Sequence, residues 1–180
     1  MKESIVGFIL FSLLFWSCNG KEDVTEVATY EGPLVELDSV QTLYSDSAVV
    51  RVQLQAAKQY EFENGNREFP VGIYVEFYDP DGSVSSTLMA DKAYYFKEQD
   101  RYTAVGNVVI EGKKENNRLD TDTLHWSPPT ARVYTKARVV ITEQQDTLRG
   151  LGLEASQDFS SYTVLNPEGS TLLKEEDNEQ

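Results

Sequence analysis

The sequence contains one cysteine and one histidine, and that scarcity excludes several kinds of chemistry. Cys18 has no partner for an internal disulfide, and one thiolate cannot build a cysteine-based zinc site. His125 cannot form a histidine cluster, and its place before Trp126 in a strand pattern favours a structural role. The chain also lacks a P-loop, a dinucleotide-binding fingerprint and a Gly-x-Ser-x-Gly motif. These absences predict a protein that is not an enzyme and carries no cofactor.

Basic residues are also few, because 16 Lys and Arg stand against 30 Asp and Glu, a formal net charge of −14. A protein that binds nucleic acid needs a basic surface to meet the phosphates, so nucleic acid is excluded as a partner. The same argument excludes a domain that lies on anionic lipid. This acidity is typical of a soluble protein whose negative surface repels other copies of the same protein.

No hydrophobic run is long enough to cross a bilayer, which takes roughly 20 residues. Residues 5–16 form a short apolar stretch after Lys2, and this pattern predicts a signal peptide over residues 1–17. Ser17 precedes Cys18, as in bacterial lipoproteins, so we predict that Cys18 is lipidated and anchors the protein to a membrane. Phe15 and Trp16 make the lipobox imperfect. The alternatives are an ordinary signal peptide or a buried N-terminal strand, and in either case Cys18 has no special role.

Two polar segments flank the predicted folded region. Residues 18–33 are acidic and predict a short tether, and residues 170–180 predict a frayed acidic tail. Lys21-Glu22-Asp23 resembles the charged signal that sends some lipoproteins of the Bacteroidota to the cell surface. A solvated linker is the simpler interpretation of the same three residues.

The region from 34 to 169 has the alternating pattern of β-strands. In residues 48–56, Val50, Val52 and Leu54 lie on one face and polar residues on the other. Turns are predicted at Asn64-Gly65, at 79–82, at 44–47 and at 166–169. We therefore predict an all-β domain, a twisted open jelly roll of two antiparallel sheets facing each other across about 10 Å.

A repeat of about thirty residues runs through this region. Its anchors are Leu54, Leu88, Leu119 and Leu148, at intervals of 34, 31 and 29 residues. Eighteen residues after each anchor stands a small or turn-forming residue: Gly72, Gly106, Ala137 and Asn166. Such self-similarity indicates a repeated structural unit, although regular hairpins also produce some spacing of this kind by chance.

Two aspartates, Asp91 and Asp122, occupy matching positions in the repeat. Paired carboxylates are the machinery of glycosidases, but a polar residue repeated in register more often serves a turn or a hydrogen bond. Aromatic residues at 94–96 and Trp126 allow stacking on sugar, although aromatic residues in strands more often fill a core. These residues keep a structural or glycan-binding surface lipoprotein open as an alternative.

Six segments in fixed order resemble one known family. They are SDSAVVRVQLQAAKQY (45–60), FPVGIYVEFYDPDGSV (69–84), L-x-A-D-x-A-Y (88–94), Y-x-A-x-GNVVI (102–110), L-x-TD-x-L (119–124) and GLGLEA (150–155). Together they resemble LptC, a periplasmic component of lipopolysaccharide export that shares its fold with the OstA/LptA family. The resemblance covers residues 39–169.

The resemblance implies an open jelly roll whose slot holds the acyl chains of lipopolysaccharide. It implies that the N-terminal edge docks on an LptB–LptF–LptG transporter and that the C-terminal edge adds an LptA-like protein by strand pairing. The family's usual anchor is a transmembrane helix, which a lipobox replaces here. We therefore expect a periplasmic protein of a Gram-negative bacterium, with its lipid anchor in the inner membrane.

Alternation within the strands predicts which side chains line the slot. A register slip of one residue would exchange the two faces. The predicted lining residues are Val75, Phe77, Val108, Ile110, Val139 and Ile141.

Overall fold

The computed structural model describes residues 30–144 and 146–168, and in that part of the chain the predicted all-β fold is confirmed. The strands are β1 (Val35–Asp46), β2 (Val49–Glu61), β3 (Arg67–Phe69), β4 (Ile73–Tyr78), β5 (Val84–Ala90), β6 (Lys92–Phe96), β7 (Arg101–Gly112), β8 (Asn117–Ser127), β9 (Arg132–Glu143), β10 (Asp146–Ser156) and β11 (Tyr162–Glu168). Two 3₁₀ turns, Lys97–Gln99 and Pro128–Thr130, join strands. Among the described residues, no helix has the length and apolar character to traverse a bilayer.

Hydrogen bonding connects all these strands as an antiparallel sheet in nearly sequential order. From one edge it runs β11, β10, β9, β8 and β7, and at the other edge β1 pairs with β2. Between β7 and β2 lie two short pairs, β5 with β4 and β6 with β3. Each short pair extends over one half of β2 and β7, so together they take the place of two long strands.

A line of backbone irregularities crosses the middle of the strands, and we call it the crease. Regular pairing breaks or shifts there in β7, β8 and β10, and β2 changes its partner from β4 to β3. Several residues along it have positive φ: Ser39 (56°), Gly72 (84°), Gly106 (79°), Asn107 (44°) and Gly152 (81°). Such bulges sharpen the local bend of a strand, so the crease is where the sheet folds over.

The fold at the crease divides the strands into two layers. The first layer contains residues 40–46, 49–56, 73–78, 84–90, 108–112, 117–121, 138–143 and 146–151, and the second contains 35–38, 58–61, 67–69, 92–96, 101–105, 124–127, 132–135, 153–156 and 162–164. Contacts across the interior join Phe77 to Trp126 at 5.4 Å between ring centroids, Ser86 Oγ to Gln157 O at 2.7 Å, and Tyr162 Oη to Glu143 Oε2 at 3.0 Å. The two predicted facing sheets are thus halves of the same long strands.

Each copy of the sequence repeat corresponds to one passage of the chain from the first layer to the second and back. Each anchor leucine lies in the first layer, and the small or turn-forming residue eighteen positions later lies at the returning crease. Asp91 also lies at the crease, where its Oδ2 accepts a hydrogen bond from Asn107 Nδ2 at 2.7 Å. That bond gives Asp91 a structural role at the bend, the simpler of the two interpretations of its place in the repeat.

Two of the predicted turns form as expected and two do not. Gly65 N donates to Phe62 O, and Gly82 N donates to Asp79 O, as the Asn-Gly and Pro-Asp-Gly patterns predict. The turn predicted at 44–47 is wrong, because β1 continues to Asp46 and the chain reverses at Ser47–Ala48, where φ is 51° and 65°. The turn predicted at 166–169 is wrong through residue 168, because β11 extends there, with its proline on an edge strand.

Several sequence predictions fall outside the described residues. They are the signal peptide over 1–17, Cys18, the motif at 21–23, most of the 18–33 tether and the 170–180 tail.

Candidate functional site

The space between the two layers is apolar, and all six residues predicted to line a slot point into it. Their exposed fractions are 2% for Val75, 1% for Phe77, 1% for Val108, 0% for Ile110, 0% for Val139 and 1% for Ile141. All six belong to the first layer, so they form one wall of the interior. The sequence could predict their common face because, within each first-layer segment, successive side chains point alternately into and out of the interior.

The opposite wall comes from the second layer and was missed at the sequence level. Its buried members are Phe69, Ala93, Tyr102, Ala104, Leu124, Trp126, Val133, Leu153 and Ala155. The same alternation marks them, but in β8 and β10 its phase changes at the crease. A phase change within one predicted strand is the signal that would have revealed the bend.

An aromatic cluster joins the two walls near the β1 edge. Trp126 lies at the centre, with ring centroids 5.0 Å from Tyr102, 5.4 Å from Phe77 and 5.8 Å from Tyr44. The Tyr44 and Tyr102 hydroxyls are hydrogen-bonded to each other. Burial, reinforced by Tyr44, raises the pKa of Tyr102 far above its usual range, so this hydroxyl stays neutral. Trp126 is buried in the core and is therefore not displayed for stacking on a glycan.

The lone histidine lies on the outer face of the second layer. His125 Nδ1 is 3.0 Å from Thr103 Oγ1, and its ring is 5.1 Å from that of Tyr134. Burial, with a smaller contribution from the positive charge of Arg101, lowers the pKa of His125. The imidazole is therefore neutral near pH 7 and supports the β8–β9 pairing, as expected of a structural residue.

Side chains fill the described part of the interior around Leu54, Val75, Leu88, Tyr102 and Leu124, where the remaining cavity has a volume of about 10 Å³. That is close to the smallest space that admits one water molecule, about 10–15 Å³. An acyl chain would therefore enter only if the two layers separate or a side chain leaves the interior.

Each end of the sheet presents a free strand edge within the described ranges. β1 pairs only with β2, and β11 pairs only with β10. Lys58 Nζ lies 3.1 Å from Asp38 Oδ1 on β1, and an ion pair of Arg138 with Glu168 supports the end of β11. The unpaired N–H and C=O groups of such edges are templates for a strand of another chain.

Comparison with known proteins identifies the family. The family described as "Lipopolysaccharide-assembly, LptC-related" matches residues 5–167 of the chain. A search of curated proteins finds no match. The matched range contains the crease, both walls of the interior and nearly all of β11, so the chain belongs to the LptC-related family of lipopolysaccharide-assembly proteins.

Proposed function

We propose that this protein is a non-enzymatic conduit, which accepts lipopolysaccharide from an inner-membrane transporter of the LptB–LptF–LptG type and passes it along a periplasmic bridge of jelly rolls. The observation that supports this most is the two-walled apolar interior, which runs from β1 to β11 in a member of a lipopolysaccharide-assembly family. Acyl chains gain free energy when they leave water for such a surface, by about 25 cal/mol per Å². Energy for directional transfer comes from the partner's ATPase.

The six residues of the first-layer wall are the proposed lipid contacts. Val75, Phe77, Val108, Ile110, Val139 and Ile141 are all apolar and fully within the interior. Their side chains offer no polar group that would fix a head group, so they suit acyl chains of varied length. Head-group recognition therefore lies outside this wall.

The two free edges suit the two protein partners of a bridge. We assign β1 to the transporter and β11 to an LptA-like protein, each adding a strand by main-chain hydrogen bonds. Edge-to-edge pairing continues the sheet and both layers into the next protein. A lipid would then pass between proteins without meeting water.

Lipidation of Cys18 is the proposed membrane anchor, and it gives a direct test. We expect metabolic labelling with a fatty-acid analogue to tag the wild-type protein and to leave Cys18→Ala unlabelled. Ser17→Ala is the matched control, because a small residue before the cysteine is retained and labelling should persist. Equal labelling of Cys18→Ala and the wild type would contradict the anchor.

Depletion in the native bacterium tests the conduit itself. We expect newly made lipopolysaccharide to accumulate at the inner membrane when the protein is removed, since the bridge loses one link. Pulse labelling followed by membrane separation measures this. Normal arrival of lipopolysaccharide at the outer membrane, with the protein digested by protease added to whole cells, would instead support a surface lipoprotein.

A further inference from the structure

The turn between β10 and β11, residues 157–161, reaches from the second layer across to the first, and we call it the plug loop. The backbone carbonyl of Gln157 accepts a hydrogen bond from Ser86 Oγ at 2.7 Å. The side-chain oxygen of the same residue accepts one from Trp126 Nε1 at 3.0 Å. Its backbone N–H donates to Ala131 O at 3.0 Å. One residue thus joins both layers on the side opposite the crease.

The loop places an aromatic side chain inside the domain. Phe159 is 0% exposed, and its ring stacks on Tyr162 with centroids 5.4 Å apart. Its carbonyl accepts a hydrogen bond from Asn117 Nδ2 at 3.3 Å. A Cβ on Gly112 would lie 3.5 Å from the Phe159 ring, so the ring sits against the end of β7 in the first layer.

Phe159 holds this place with a strained backbone. Its φ is +55°, a conformation that a bulky residue rarely adopts. The side-chain oxygen of Asn117, the residue that donates to the Phe159 carbonyl, is buried and has no hydrogen-bond partner among the residues that the structure describes. Strain and an unsatisfied polar atom at one contact both lower the free energy needed to open it.

The other turns on this side of the described sheet are different. Neither 3₁₀ turn, Lys97–Gln99 nor Pro128–Thr130, has a buried residue. The turn after β2 is also open, with Glu63 and Asn64 exposed at its tip. Of the four turns, only the plug loop sends a large apolar side chain into the interior.

We propose that the plug loop is a gate of the lipid slot, in which Phe159 occupies space that an acyl chain takes when the loop swings outward. This rests on the proposed function. Because the interior between the walls is filled, lipid entry requires something to leave. The plug loop is a surface element that is joined to both layers by hydrogen bonds and carries a bulky buried residue with a positive φ. The closed state seals the apolar walls from water when no lipid is present. The open state is then a minor population that lipid selects.

The gate is also connected to the edge strand. Phe159 stacks on Tyr162, the first residue of β11, and the Tyr162 hydroxyl donates to Glu143 at 3.0 Å. A partner strand that pairs with β11 therefore acts on a residue in contact with the plug. The structure couples the exit edge to the closure of the slot.

Stopped-flow binding of dansyl-labelled lipopolysaccharide to the full chain tests the gate. Energy transfer from Trp126 reports arrival of lipid in the interior, with Trp16→Phe in every variant so that Trp126 is the single donor. We expect Phe159→Ala to raise the association rate about tenfold, as the binding-competent fraction grows. Ser86→Ala, which removes one hydrogen bond of the loop and leaves the Phe159 side chain unchanged, should raise it in the same direction by a smaller factor.

Phe96→Ala is the matched control, since Phe96 precedes another turn on the same side of the sheet but stacks on Tyr94 and is not part of either interior wall. We expect it to leave the association rate within about twofold of the parent. The gate is wrong if Phe159→Ala and Ser86→Ala bind at the parent rate, or if Phe96→Ala accelerates binding as much as Phe159→Ala. Absence of energy transfer in every variant, the parent included, would overturn the proposed function together with the gate.

Discussion

We expect Ile110→Lys to lower the free energy of unfolding by more than about 4 kcal/mol, whereas Val109→Lys changes it by less than about 1 kcal/mol. Ile110 lies on β7 between Leu88 and Leu119, and all three side chains are buried. An ammonium group there would lose its water without finding a partner. Domains of this size have a free energy of unfolding of about 5–15 kcal/mol, so the loss removes much of it.

Val109 is the matched position on the other face of the same strand. It is half-buried, points outward and lies directly opposite Asp120 on β8. A lysine there meets a carboxylate across the strands, an arrangement that is neutral or mildly favourable. Urea unfolding followed by circular dichroism compares the two variants. A stable Ile110→Lys beside an unfolded Val109→Lys would reverse the assignment of the interior face.

Much of the first layer could be predicted from the sequence. The segment around Val75 has a period of two, and this fixes which face meets the core; around Val108 and Val139 the neighbouring Val109 and Val140 are also apolar, and there the burial alternates in the structure. Asn64-Gly65 and the Pro-Asp-Gly run before Ser83 carry their turn chemistry in their own residues. The order of the motifs also pointed to the family that matches residues 5–167.

The second layer and the plug depend on long-range contacts that local patterns do not show. The bend at Gly106 appears in the sequence only as a small residue in a strand, and its meaning depends on pairing with β6 and β8. Phe159 stands in the polar run Asp158-Phe159-Ser160-Ser161, which has the composition of an exposed turn. Its burial depends on Asn117, 42 residues away along the chain.

Substituting a glycine of the crease is the second change with a large expected effect on the free energy of unfolding, because these glycines combine positive φ with close neighbours. We expect Gly106→Ala to lower the free energy of unfolding by about 2–3 kcal/mol and Gly82→Ala by about 1 kcal/mol. Both glycines have nearly the same φ, 79° and 85°. An added Cβ meets nothing within 4 Å at Gly82, but at Gly106 it lies 2.9 Å from Asp91 Oδ2.

The difference between the two variants therefore measures crowding at the bend. A methyl group at position 106 displaces the Asp91 carboxylate and disrupts the hydrogen bond that it accepts from Asn107 at 2.7 Å. Adding Asp91→Ala to Gly106→Ala removes the displaced oxygen, so we expect the two losses to be less than additive in a double-mutant cycle. Equal destabilisation by Gly106→Ala and Gly82→Ala would mean that the crease tolerates a side chain. The glycine of the repeat would then reflect backbone conformation alone, and close packing of the fold against Asp91 would play no part in bending the sheet.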